Sequence, residues 1–351
     1  MTLRRTIALL FVATLILIMA GCKPKEEAST GAGTTPTAPT KAAKPAKSYV
    51  IGMSQCNLNE PWRKRMNDDI KKAAEAHPEV KVEFKDAQNS TESQQAQVRE
   101  FITSGINLLI ISPKEAMPLV QPVQEAMDAK IPVIVLDRDL SEPVYTCFIG
   151  GDNVMIGREA GKYMVKLLGS KGKIVELKGL ETSVPSHDRH NGFMEGIKGS
   201  DIEIIYDQDC EWLEEKAQAA MSTALARSDE IDAVYGHNDP SAHGAWVAAQ
   251  QEGKGREKTI KFIGIDGNPD EGQRYVKEGI LSATFDYQTG GKEAIETALK
   301  ILNGEEVPKR IALGTVLFTP DNVDQGGEPI AVEAADATAE PAAVEEKAGP
   351  Q

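Results

Sequence analysis

Tyr49-Val50-Ile51-Gly52-Met53-Ser54-Gln55-Cys56-Asn57-Leu58-Asn59-Glu60-Pro61-Trp62-Arg63 opens the body of the chain and sets its pattern. An apolar run of strand length ends in a polar turn, and an amphipathic stretch of helical length, 63–76, follows. The unit recurs. Apolar runs stand at 80–84, 108–111, 132–136, 145–149, 173–177, 202–206, 233–235, 260–265 and 283–286. Amphipathic stretches at 93–103, 155–168 and 214–226 lie between them. Strand–helix alternation predicts an α/β fold with parallel sheets covered on both faces. Residues 48–322 carry the pattern, roughly 275 positions, enough for two lobes with their own cores.

Upstream, Arg4 and Arg5 form a basic region, and 7–20 is uncharged and apolar. At 14 residues this run matches a signal segment and falls short of the ~20 that a spanning helix needs. It ends in Met19-Ala20-Gly21-Cys22, which resembles the lipobox of bacterial lipoproteins. That resemblance implies removal of 1–21, acylation of Cys22 and a periplasmic or extracytoplasmic protein held to a membrane through lipid alone. Residues 23–47 are mostly Lys, Ala, Thr, Pro, Gly and Ser. Such a stretch cannot bury enough surface to order itself and reads as a tether reaching roughly 25–30 Å. The stretch 323–351 resembles it, with seven acids against one Lys from Asp324 onward, and reads as a solvated acidic tail.

The whole chain carries 39 Lys and Arg against 53 Asp and Glu, a net charge of −14. Losing the two arginines of 1–21 takes this to −16 (−14 − 2). Such a balance excludes nucleic acid as a partner, because phosphates require a basic face. With Cys22 acylated, Cys56, Cys147 and Cys210 remain, an odd number that leaves at least one unpaired. Cys147 sits in an apolar run and reads as a buried free thiol.

In parallel sheets ligands bind beyond the carboxyl ends of the strands. Those ends carry a consistent chemistry here. Glu60, Trp62 and Arg63 follow the first run, and Asp137 and Arg138 follow 132–136. A polar turn with Asp188 and Arg189 follows 173–177, and Trp212 follows 202–206. His237, Asn238 and Asp239 follow 233–235, Asp266 follows 260–265, and Tyr287 and Gln288 follow 283–286. Carboxylates accept, guanidinium donates in a fork and a side-chain amide does both, which suits vicinal hydroxyls. An indole suits the flat C–H face of a sugar ring. Individually, an Asp at a helix start is usually an N-cap and Asp137-Arg138 is a possible surface pair. One polar or aromatic anchor at successive strand ends is not explained that way.

At these residues the chain resembles the type I periplasmic sugar-binding proteins, the ribose- and galactofuranose-binding components of ABC importers. The resemblance spans about 48–318. It rests on Gln55…Trp62-Arg63, Leu136-Asp137-Arg138, Gly151-Asp152-Asn153, Asp188-Arg189…Gly192-Phe193, His237-Asn238-Asp239 and Ile265-Asp266-Gly267. The Ser54-Gln55-Cys56-Asn57 and Glu60-Pro61-Trp62-Arg63 runs are similar to a branch that includes sensor domains of two-component kinases. The resemblance implies two doubly wound parallel-sheet lobes joined by a three-segment hinge. The first takes 48–151 and 288–313, the second 152–287 and 314–322. It implies that Asp137, Arg138, Arg189, Asn238 and Asp266 hold ring hydroxyls and that Trp62 and Trp212 sandwich the ring. Arg63 stands where ribose-binding members place an aromatic, and Tyr287 about where they place glutamine, with Gln288 beside it. Both departures speak against ribose itself, and Arg63 makes a galactofuranose-type pocket the closer analogue.

The expected ligand is therefore a small neutral sugar, pentose or hexose. The expected partner is an ABC permease or, as the alternative, a sensor-kinase or chemoreceptor ectodomain, and the protein is expected to be a monomer. No nucleophile elbow, Walker loop or dinucleotide fingerprint occurs, and His77, His187, His190, His237 and His243 lack metal spacing. No catalysis, cofactor or metal is expected. Asp69 reads as a solvent-facing helix residue.

Overall fold

The computed structural model describes residues 47–331. The signal segment, Cys22, the tether up to residue 46 and the tail from 332 lie outside the described residues. The chain runs β1 (Tyr49–Gln55), α1 (Pro61–Glu75), β2 (Val80–Asp86), α2 (Thr91–Ser104), β3 (Leu108–Ser112), α3 (Val120–Asp128), β4 (Val133–Leu136) and β5 (Cys147–Gly151). It continues through α4 (Asn153–Leu168), β6 (Lys171–Lys178), α5 (Val184–Gly196), β7 (Asp201–Asp209), α6 (Glu214–Arg227), β8 (Ala233–Gly236), α7 (Asp239–Gln251), β9 (Lys261–Asp266), α8 (Arg274–Lys277) and β10 (Ala283–Asp286). It ends with α9 (Gly291–Leu302), β11 (Arg310–Leu313), β12 (Thr315–Phe318) and β13 (Glu328–Ile330). All ten expected strands form, with ends shifted by up to three residues.

Two sheets result. The first has the order β11-β5-β4-β3-β1-β2, parallel throughout. The second has the order β13-β12-β10-β9-β8-β6-β7 and is parallel from β10 to β7. The chain passes between sheets three times: after β5, after β10 and between β11 and β12. Central strands such as Leu108–Ser112 and Val133–Leu136 are buried along their whole length, as a sheet covered on both faces demands. Helix ends are set locally. The Ser90 hydroxyl accepts from Ser93 N to start α2, and Gly105 at φ 70° stops it.

The stretch from 323 departs from the expected solvated tail over its first nine residues. Val323 is buried, Asp324 pairs with Lys277 at 2.8 Å, and β13 adds antiparallel to β12. Gly326, Gly327 and Pro329 read as breakers in sequence, yet an edge strand of three residues tolerates them. The turn expected at Asp188 and Arg189 is instead part of α5. This helix packs on α4 through glycines rather than large apolar residues, which hides its periodicity. A Cβ on Gly192 would lie 2.0 Å from the Val154 carbonyl oxygen, and one on Gly157 2.3 Å from that of Arg189. Cys56, Cys147 and Cys210 are free and buried.

Because this helix contact positions Arg189, Gly192→Ala should force α4 and α5 apart. Overpacking of this kind costs about 1–3 kcal/mol, so chemical denaturation should show a lower midpoint with an unchanged slope.

Candidate functional site

Of the fourteen residues named at the strand ends, ten meet in one cavity between the two sheets. Glu60, Trp62, Arg63, Asp137, Arg138, Arg189, Trp212, Asn238, Asp266 and Tyr287 line it, together with Pro185, which the sequence did not single out. Asp188, His237, Asp239 and Gln288 do not line it, and of these Gln288 was expected to touch ligand. Its Nε2 donates to the Gly314 carbonyl at 3.0 Å, beside the crossing between β11 and β12. Neighbouring side chains on extended backbone point to opposite sides, so Tyr287 in the cavity sends Gln288 away from it.

The first-sheet wall is internally paired. Arg63 is buried, with Nη1 donating to Gln55 Oε1 and Ser112 Oγ, both at 3.0 Å. Both terminal nitrogens reach Asp137 Oδ2 at 3.2 Å, and Nε reaches Glu60 Oε1 at 3.2 Å. Burial works against the Arg63 charge, and Glu60 and Asp137 beside it hold the pKa above the usual value. Ser112 also donates to Asp137 Oδ2 at 3.0 Å, so Asp137 Oδ1 is left unpaired by its protein neighbours. Asn57 Nδ2 donates to Glu60 Oε1 at 2.8 Å, which leaves Oε2 in the same state. Arg138 donates from Nη1 to the Lys114 carbonyl at 3.1 Å and keeps its other donors.

The second-sheet wall differs. Arg189 donates from Nε to Asn153 Oδ1 at 2.9 Å and from Nη1 to the His237 carbonyl. Asn238 caps α7, accepting from Ser241 N at 3.0 Å, while its Nδ2 holds the Trp212 carbonyl at 3.0 Å. The N-cap of α7 is thus Asn238, not Asp239 beside it, and one amide hydrogen of Asn238 stays free for a ligand. Asp266, at the end of β9, has no side-chain hydrogen-bond partner among the described residues although it is only 6 % exposed. Burial, and then the charge of Asp239, push its pKa well up. Asp239 lies behind it, accepting from Thr284 Oγ1 at 2.6 Å and Gly267 N at 2.8 Å, and burial raises it to about 7. Trp212 Nε1 is buried without a partner.

Each tryptophan ring of the cavity is held by neighbours of its own. Trp62 donates from Nε1 to the Tyr287 carbonyl at 2.7 Å and packs on that ring at 5.2 Å. Trp212 is met by Arg138 at 5.4 Å and Arg189 at 5.2 Å, and a Cβ on Gly179 would lie 2.2 Å from its Cζ2. Tyr287 rests on Gly151 and donates to the Asp137 carbonyl at 3.3 Å.

Comparison with known proteins now decides the family. Residues 51–306 match the family described as periplasmic binding protein domain. The ribose import binding protein RbsB of Bacillus subtilis (strain 168) is 31% identical over 288 residues, 80% of this chain and 92% of that protein. This chain belongs to the type I periplasmic sugar-binding protein family. Among solved structures, the fructose binding periplasmic domain of the hybrid two component system BT1754 is 39% identical. It superposes with TM-score 0.76 over 79% of this chain and 93% of that one. A Mycobacterium smegmatis protein in complex with β-D-fucofuranose gives TM-score 0.76 at 29% identity, covering 80% and 94%.

In this periplasmic binding protein a second charged group braces the cavity from behind. Glu176, fully buried on β6, accepts from His190 Nδ1 at 2.9 Å and from His237 Nε2 at 3.0 Å. His237 Nδ1 in turn accepts from Gly179 N at 3.2 Å, which fixes the loop that Trp212 rests on. Burial alone would raise the Glu176 pKa; the two histidine hydrogen bonds outweigh it and hold the carboxyl near 2. Burial keeps His237 neutral, whereas the bond to Glu176 raises His190. Among the described residues no group of His, Cys, Asp and Glu is arranged to hold a metal.

A carboxyl lowered from 4.5 to about 2 stabilises the fold above pH 4.5, and that contribution is lost as pH falls towards 2. The wild type should therefore lose on the order of 2 kcal/mol between pH 4.5 and 3 through this group. In Glu176→Gln the fall of melting temperature over that window should be shallower, which a pH series of thermal melts measures.

Proposed function

We propose that the protein captures one small neutral sugar, a pentose or hexose, between its two lobes and delivers it to an ABC importer. The observation that carries this reading is the set of cavity-lining residues whose polar groups are left without protein partners. Glu60 Oε2, Asp137 Oδ1 and the Asp266 carboxylate accept; Arg138, Asn238 and Trp212 Nε1 donate. Alternating hydroxyl donors and acceptors on a polyol match that set. The carboxylates of Glu60 and Asp137 already pair with Arg63, and burial disfavours charge on Asp266, so a neutral ligand fits the cavity without adding a charge to be matched. The ribose- and fucofuranose-binding relatives support the same ligand class.

The lobes, 48–151 with 288–313 and 152–287 with 314–322, would open and close about the three crossings. The protein works as a monomer, without catalysis or cofactor. A second reading presents the same sugar to a sensor-kinase ectodomain. It is favoured by the greater identity to the two-component BT1754 domain, 39%, than to the ribose import protein, 31%. Cys22 would carry the lipid that anchors the protein outside the cytoplasm. Cys22→Ser should leave sugar binding intact and release the protein from the membrane fraction. Wild type found wholly soluble with an unmodified Cys22 defeats the anchor.

The ligand is found by a thermal-shift panel of D-ribose, D-fructose, D-galactose and L-arabinose, since binding raises apparent stability by mass action. Arg138→Ala and Asp266→Ala should then weaken calorimetric affinity roughly ten- to hundredfold, the effect of about 1–3 kcal/mol for an unmatched buried polar group. The inert comparison is Asp68→Ala, which is exposed. Asp69 does not serve, because its Oδ2 accepts from Thr289 Oγ1 at 2.6 Å. Wild-type affinity in both Arg138→Ala and Asp266→Ala sinks the site.

A further inference from the structure

Two hydrogen bonds join the lobes outside both the cavity and the crossings. Arg65, on α1, donates from Nη1 to Asn268 Oδ1 at 2.8 Å. Ala116 N, in the loop after β3, donates to the Thr182 carbonyl in the loop after β6 at 3.3 Å. None of these four residues lines the cavity, but each has a close neighbour that does or that holds one. Arg65 is two residues from Arg63, Asn268 two from Asp266, and Thr182 three from Pro185. Ala116 is two from Lys114, whose carbonyl takes Arg138 Nη1.

The Arg65 bond is the more constrained of the two. Asn268 is buried, and its Nδ2 is tied to Glu271 Oε2 at 3.0 Å, so its oxygen is held towards α1. Arg65 is itself placed by Asp69, 3.8 Å from its Nε, and Asp69 is placed by Thr289 at the start of α9. The guanidinium is thus pre-set on the first lobe and its acceptor pre-set on the second. A contact that exists only when the lobes meet stabilises the closed form without touching ligand. Ligand affinity scales with the population of the binding-competent form.

We infer that Arg65 is a positioning residue whose bond to Asn268 latches the closed lobes, setting how long a sugar is held and not which sugar is held. This rests on the reading of the protein as one that closes about its ligand. Two consequences separate it from a pocket role. Loss of the latch raises the dissociation rate and barely changes association. It also weakens every sugar by the same factor, because the bond has no access to the ligand.

The test uses the full chain in a Cys22→Ser background. Spin labels are placed at Ala96→Cys and Ala226→Cys, exposed positions on α2 and α6, while Cys56, Cys147 and Cys210 are buried. Arg65→Ala should move the inter-label distances towards the open form without ligand, by about 3–10-fold in population, the effect of one hydrogen bond from a partly exposed, solvent-screened guanidinium. Stopped-flow with D-fructose and D-ribose should give a dissociation rate raised by the same factor for each sugar that the wild type binds. Asn268→Ala should match it, and the double variant should be no worse than the worse single. Circular dichroism checks the fold. Unchanged distances and dissociation in Arg65→Ala overturn the latch, as does a factor that differs between sugars. If the wild type binds neither sugar, the distances alone decide the latch, while the fault lies with the ligand assignment.

Discussion

A guanidinium buried at the edge of the first sheet sets the geometry of everything around it. Arg63 cannot shed its proton, so its charge must be matched where it lies. Gln55 from the end of β1, Ser112 from the end of β3, Asp137 from the end of β4 and Glu60 from the turn before α1 all converge on it. Three strand ends and one helix start are thereby fixed to a single point. Asp137 adopts φ 72°, a conformation unusual outside glycine, and the bonds to Arg63 and Ser112 hold its carboxylate there. Arg138, the next residue, is aimed at Trp212 as a result. The residue that the sequence assigned to ligand contact therefore acts first as the keystone of the wall.

What could be read from the sequence follows from what carries a periodic signal. Central strands buried on both faces are continuous apolar runs, and the edge strands β2 and β7 alternate apolar with polar residues, so all ten are legible and their carboxyl ends point to the candidate site by a general rule. α5 escaped because its packing face is built of Gly192 and Gly196 against α4, and glycine contributes no apolar period. β13 escaped because three edge residues including Pro329 bury almost nothing. Gln288 was misplaced by proximity: adjacency in sequence brings a residue near a cavity, but alternation along extended backbone decides which side it faces. Asp69 looked like an ordinary helix-surface acid, and its bond to Thr289, 220 positions on, has no local sign. The brace of Glu176 with His190 and His237 was equally illegible. It joins β6, α5 and the end of β8, three elements that only the fold brings together.

The two walls of the cavity stand in different electrostatic states. On the first-lobe side, Glu60, Arg63 and Asp137 already satisfy one another, so the charges there are paid for before any ligand arrives. On the second-lobe side, Asp266 is buried with Asp239 behind it and no donor of its own, and Trp212 Nε1 has no acceptor. Burial of such groups costs free energy until something pairs them. That cost is borne only when the lobes meet and water leaves the cleft. On the proposed reading, a molecule with both hydroxyl donors and acceptors would relieve it on contact and so couple closure to occupancy through Asp266 and Trp212. A phosphate or carboxylate would instead bring a new charge beside Asp266, where burial already disfavours charge, so the groups that favour closure on a polyol do not favour closure on an anion.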